Sequence, residues 1–146
     1  MSVVLGSTGG NKDVTSITLG STGGNKTVLE GYVGTTGGNK LFFSALSASA
    51  SPTSVSGSGN TNAITSTAST ATPTGGIGPF TYAWSNVGGD AAVVAVSPSS
   101  ASSTFRKNPM MPGDSTSATF NCLVTDTGTG FSVTTNNVSV SLDRLP

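Results

Sequence analysis

Phe80-Thr-Tyr-Ala-Trp-Ser85 sets three aromatic rings two residues apart. Successive side chains of an extended chain point to opposite faces, so Phe80, Tyr82 and Trp84 share one face of a strand. Rings of this kind bury ~150–250 Å² each, more apolar area than any other segment of the chain offers. This is the core strand. The cluster Pro73-Thr-Gly-Gly-Ile-Gly-Pro79 is a turn that delivers the chain into it, and residues 86–90 turn the chain away again.

Working outward, Ala92-Val-Val-Ala-Val96 predicts a short strand, and residues 102–107 offer Phe105 to the core. Asn108-Pro-Met-Met-Pro-Gly-Asp114 reads as a loop. Its two methionines form either the plug at one end of a sandwich, the favoured reading, or an exposed patch. Residues 117–126 place Phe120, Cys122 and Val124 on one face, and Thr127-Gly-Thr-Gly130 makes a hairpin turn. In the last strand, residues 131–142, the apolar positions change parity: Phe131 and Val133 are odd, Val138, Val140 and Leu142 even. A strand cannot exchange faces without an irregularity, which predicts a bulge at residues 135–137. Upstream, residues 47–73 have the texture of a linker, except that residues 63–72 alternate as a strand tolerates. Six or seven short strands between turn signals describe an antiparallel β-sandwich.

Ahead of it stands a phrase used three times: Leu5-Gly-Ser-Thr-Gly-Gly-Asn-Lys12, Leu19-Gly-Ser-Thr-Gly-Gly-Asn-Lys26 and Val33-Gly-Thr-Thr-Gly-Gly-Asn-Lys40. The copies start at residues 5, 19 and 33, a period of 14. Each unit therefore reads as one glycine-rich turn followed by a strand, since residues 13–19 and 27–33 are β-branched and too short for a stable helix. The product is a β-meander. A small sheet of this kind is marginal alone and needs a partner surface. Lys12, Lys26 and Lys40 recur at one place in each unit, either to keep an edge soluble or to dock a cationic row on an acidic neighbour. Leu41-Phe42-Phe43-Ser-Ala-Leu46 is the most apolar short run and can pack against the domain that follows. The chain thus divides into a repeat module, residues 1–45, and a sandwich, residues 46–146.

Composition narrows the function. Of 146 residues only 8% are charged, the formal net charge is zero, and no basic run exists beyond Arg106-Lys107. Nucleic acid is not an expected partner. No segment approaches the ~18 apolar residues of a membrane span, so no membrane contact is expected either. The start Met1-Ser-Val-Val-Leu-Gly6 lacks the basic and apolar regions of a signal peptide, which predicts synthesis in a cytoplasm and use in an assembly. With one cysteine, Cys122, no intrachain disulfide forms.

Reactive chemistry is sparse. Histidine is absent, which removes the commonest general base and most zinc sites. Asp13, Glu30, Asp90, Asp114, Asp126 and Asp143 are scattered among turns rather than paired. Gly20-Ser-Thr-Gly-Gly-Asn-Lys-Thr27 approaches a phosphate-binding loop, but Asn25 replaces its second glycine and a strand follows instead of a helix. Asp126-Thr-Gly-Thr-Gly130 offers one carboxylate where calcium wants six to eight oxygens, so it reads as a turn. Cys122 reads as a small buried hydrophobe. For carbohydrate, only Tyr32, Tyr82 and Trp84 offer a flat ring with a polar tip, and the last two belong inside. No catalytic residue, cofactor or metal ligand is expected; the expected core is Phe80, Tyr82, Trp84, Phe105, Phe120, Cys122 and Val124.

Two resemblances bear on use. Gly75-Gly-Ile-Gly-Pro-Phe-Thr-Tyr-Ala-Trp84 resembles the third strand of immunoglobulin-like and polycystic-kidney-disease-type repeats, and Phe120-Asn-Cys-Leu-Val-Thr-Asp126 resembles their penultimate strand. Cys122 falls where immunoglobulins keep their second cysteine, although residues 63–72 hold no partner for it. Gly31-Tyr-Val-Gly-Thr-Thr-Gly-Gly-Asn-Lys40 is similar to the Tyr-Val-Gly-x-Gly-Gly-x-x-Lys repeats of virion proteins of tailed bacteriophages. The resemblances imply an all-β, non-enzymatic structural protein of the virion, either tail- or fibre-associated or a capsid decoration. They also imply other virion proteins as partners and a homo-oligomer, trimer or higher. Its interface candidates are Lys12, Lys26, Lys40, Tyr32, Phe42 and Phe43. The competing reading is a surface adhesin whose sandwich binds host glycan or protein.

Overall fold

The computed structural model describes the backbone of residues 30–35 and 38–44 and all of residues 45–146. The described residues form strands and no helix. Strands β1 (Glu30–Thr35) and β2 (Gly38–Ser44) pair antiparallel, with Tyr32 opposite Leu41, Val33 opposite Lys40 and a register shift between Gly31 and Tyr32. Sequence reading ends the strand at Val33 and gives the glycine-rich remainder of the phrase, residues 34–40, to the turn. The ladder instead runs into it, pairing Gly34 with Asn39 and Thr35 with Gly38, so only residues 36 and 37 separate the strands. A glycine costs an extended ladder entropy but obstructs no rung. The first two copies of the phrase, with Lys12, Lys26 and the strand expected at residues 13–19, lie outside the described residues.

Beyond residue 45 the chain builds a two-layered β-sandwich. One layer sets β7 (Phe80–Gly89), β11 (Ser115–Asp126), β13 (Val138–Arg144) and β4 (Ser54–Gly59) side by side, with β12 (Ser132–Thr134) beside the distal part of β11. These neighbours are antiparallel except β13 and β4, which run parallel. The other layer joins β3 (Ser47–Ser51), β6 (Ser69–Thr74) and β9 (Ser102–Ser103), and is continued along the chain by β5 (Ile64–Thr65), β10 (Phe105–Lys107) and β8 (Val94–Ala95).

Between the layers lies the core that the alternation in β7 and β11 announces. Phe105 from one layer meets Trp84 edge-on, with ring centroids 5.6 Å apart at 77°, and lies 4.4 Å from the ring of Phe120 in the other. Trp84, Phe105, Phe120, Cys122 and Val124 are buried, whereas Phe80 and Tyr82 are only partly buried against them. Those two rings sit toward the end of the sandwich, with Phe80 opposite Asp126 and Tyr82 opposite Val124. Cys122 is a free thiol without solvent contact, and burial pushes its pKa up.

Several expectations need correction. Residues 47–62 are not linker: they form β3 and β4, whose only large side chain is Val55. The strand expected over residues 63–72 is broken into β5 and β6, because Ser66 leaves the ladder and clasps Phe105 twice. Its N–H donates to the Phe105 carbonyl at 2.8 Å, and its hydroxyl accepts the Phe105 N–H at 3.0 Å. Of residues 92–96 only Val94 and Ala95 pair as strand; Val93 is buried while Val94 and Val96 face solvent. The methionine plug is half right, for Met110 is buried and Met111 is 72% exposed. The parity change falls where expected, with β12 ending at Thr134 and β13 starting at Val138. Within that interruption Asn136 turns to the other layer, its side chain accepting the Ala50 N–H at 2.8 Å and donating to the Ala50 carbonyl at 3.1 Å. A side chain thus stands in for a strand on the open edge of β3.

Candidate functional site

At one end of the sandwich the loop at residues 75–79 meets the hairpin turn that follows β11, and Asp126 holds them together. It is the last residue of β11, its backbone N–H bonded to the Phe131 carbonyl at 2.8 Å, and it has no solvent contact. Its Oδ2 accepts the Ile77 N–H at 2.8 Å, and its Oδ1 accepts those of Gly78, Gly128 and Thr129 at 3.1, 2.9 and 3.3 Å. A buried carboxylate is tolerated only when its lone pairs are filled this way. The Ile77 N–H, chief among these donors, holds the Asp126 carboxyl below the usual carboxylate range against the opposing effect of burial. Gly76, at φ +73°, is required here, since a Cβ would lie 2.6 Å from Asp126 Oδ2. The arrangement saturates the carboxylate.

The other described aspartates are likewise committed. Asp90 accepts the Lys107 ammonium at 2.7 Å, the Thr116 hydroxyl at 2.8 Å and the Ala92 N–H at 2.8 Å. Lys107 first, then those hydrogen bonds, lower its pKa to about 2. Asp114 accepts the Met111 N–H at 2.7 Å, and Asp143 accepts the Ser115 hydroxyl. Each closes a loop or braces a strand end. Among the described residues no three of His, Cys, Asp and Glu stand together as metal ligands, and no helix is long and apolar enough to cross a membrane.

An open cavity of about 320 Å³ lies at the side of the sandwich, lined by Trp84, Asn86, Val93, Val94, Ala95 and Pro98 among others. Its one polar side chain, Asn86, is already spent, donating to the carbonyls of Asp90 and Val93 and accepting the Gly88 N–H. The side chains lining the cavity are therefore mainly apolar, and its one polar side chain is engaged within the fold. Trp84 Nε1 donates to the Ser100 carbonyl at 3.0 Å, so its polar tip is satisfied within the fold.

Of the interface candidates, Tyr32, Lys40, Phe42 and Phe43 fall on the β1–β2 hairpin, with Phe43 opposite Gly31. Lys12 and Lys26, like the phosphate-loop look-alike at residues 20–27, lie outside the described residues. Sequence reading missed Asp126 as a clamp, Asp90 as the hub of an ion pair, and Asn136 as an edge mimic. Only the Asp-x-Gly spacing after β11 hints at the first. No family model matches the chain, and no curated protein matches it as a relative.

Proposed function

We propose that the chain is a non-enzymatic structural component of a tailed-phage virion. In this reading residues 1–45 attach it to neighbouring subunits, and residues 46–146 form an outward immunoglobulin-like sandwich. The observation that carries the non-enzymatic part is the fate of the acids: Asp90, Asp114, Asp126 and Asp143 are all engaged in holding loops and strand ends. A hydrolytic or transfer site needs a reactive group held free beside a space for substrate, and the open cavity beside Trp84 is lined mainly by apolar side chains. The immunoglobulin-like assignment draws support from strand order. One layer runs β3, β5/β6, β9/β10, β8, and the other β7, β11, β12/β13 with β4 added in parallel beside β13, an order similar to the two strand sets of such a domain with one extra edge strand.

Attachment through the repeats rests on their periodicity and on the resemblance to virion repeats. Many copies on a symmetric particle make weak contacts sufficient, because tethering raises effective concentration. The test is incorporation. A chain lacking residues 1–45 is expected to fold but to be absent from purified particles, while the full chain is present. Incorporation of the truncated chain at full occupancy refutes the repeats as the anchor. A monomeric full chain that binds polysaccharide on an array supports the adhesin reading instead.

A further inference from the structure

We infer that the end of the sandwich clamped by Asp126 is a docking surface for this chain's own Leu41-Phe42-Phe43 run, which seats the repeat hairpin there. Two of the most exposed apolar side chains occupy that end: Phe131 at 70% and Ile77 at 60%. Both belong to the segments that Asp126 ties together, since Ile77 donates its N–H to the carboxylate and Phe131 accepts the Asp126 N–H. A Cβ built on Gly128 would lie 3.5 Å from the Ile77 Cβ, so the loop and the hairpin turn are in contact. The rest of the surface there is glycine at residues 75, 76, 78, 128 and 130, with two threonines and a proline. The only acid, Asp126, is buried. The result is an uncharged tip on which two large apolar side chains stand exposed.

The occupant follows from where the chain arrives. β3 opens with Ser47 paired to Thr74, the residue immediately before the loop at residues 75–79, so the segment joining β2 to the sandwich enters at this same end. Three residues, 44–46, separate Phe43 from Ser47. Four residue steps reach at most about 14 Å, which confines the apolar run to the neighbourhood of the tip. A two-stranded hairpin is marginal in water by itself, and a short tether holds these two apolar surfaces at roughly millimolar effective concentration. Docking buries both. It also directs the opposite end, with exposed Met111 and Leu145, away from the repeats.

Cysteine cross-linking in the full chain tests this. Phe131→Cys is combined in turn with Phe43→Cys and Phe42→Cys, since neighbouring strand residues face opposite ways. Both positions on the tip are exposed and Cys122 is buried, so the fold and the background thiol are undisturbed. Under oxidised glutathione, one of the two pairs is expected to close a disulfide within the chain about tenfold faster than the same cysteines paired with Met111→Cys. Ile77→Cys serves as a second position on the tip. Closure no faster than the Met111→Cys control at both positions overturns the inference, as does a disulfide formed only between chains.

Discussion

Replacing Trp84 by alanine removes the indole around which the two layers meet. The side chain is 5% exposed, packs edge-on against Phe105 and donates Nε1 to the Ser100 carbonyl at 3.0 Å. Truncation of a buried tryptophan costs ~3–5 kcal/mol through lost transfer energy and the cavity left behind. Two features pull the value toward the lower half. The open cavity already borders the indole, so water can reach the vacated space, and Ser100 is exposed, so its carbonyl recovers a solvent partner. We expect about 3–4 kcal/mol, a large share of the ~5–15 kcal/mol by which small domains are stable. For a sandwich of about a hundred residues this lowers Tm by roughly 12–30 °C. Far-UV circular dichroism in heat and in urea reads the change without relying on the lost fluorophore. Trp84→Phe, which keeps a ring against Phe105 and loses only the N–H and part of the area, should fall between parent and alanine variant. An alanine variant melting within a degree or two of the parent refutes the placement of the indole in the core.

Acid should unfold the sandwich in a defined window. Asp90 and Asp126 have folded pKa values below the ordinary 3.8, so their stabilisation is complete above that value and is lost as pH falls through the folded pKa, about 2 for Asp90. Melting temperature is expected to drop between about pH 4 and pH 2, and Asp90→Asn should flatten that limb; a profile unchanged by the substitution contradicts the assignment. Gly57→Ala should destabilise by about 1–3 kcal/mol or more, because its Cβ would lie 2.1 Å from the Thr65 carbonyl oxygen where β4 crosses β5. Wild-type urea stability in that variant would mean the layers do not approach there. Met110→Ala should cost about 2–5 kcal/mol and Met111→Ala less than about 0.5, so equal melting curves rule out the buried and exposed assignments.

How far the sequence foretold this molecule depends on where each element draws its stability. β7 and β11 were readable because their aromatic and β-branched residues alternate, and alternation is a local record of one buried face. The break at residues 135–137 was readable for the same reason, as a change of parity. β3 and β4 were not: Ser-Ala-Ser-Ala-Ser and Ser-Val-Ser-Gly-Ser-Gly carry little apolar contrast, and they are strands because β6 and β13 offer them ladders. The split of β5 from β6 depends on Ser66 meeting Phe105, 39 residues away. Asp126 was visible as a turn residue but not as a clamp, since its decisive donors, Ile77 and Gly78, lie 49 and 48 residues upstream. Long-range partners of this sort leave no mark in composition or period.

Light scattering on the purified full chain tests the proposed structural role most directly, because an assembly module must assemble. A stable trimer or larger species, reduced to monomer when residues 1–45 are removed, is the expected result. A full chain that stays monomeric at all concentrations contradicts it.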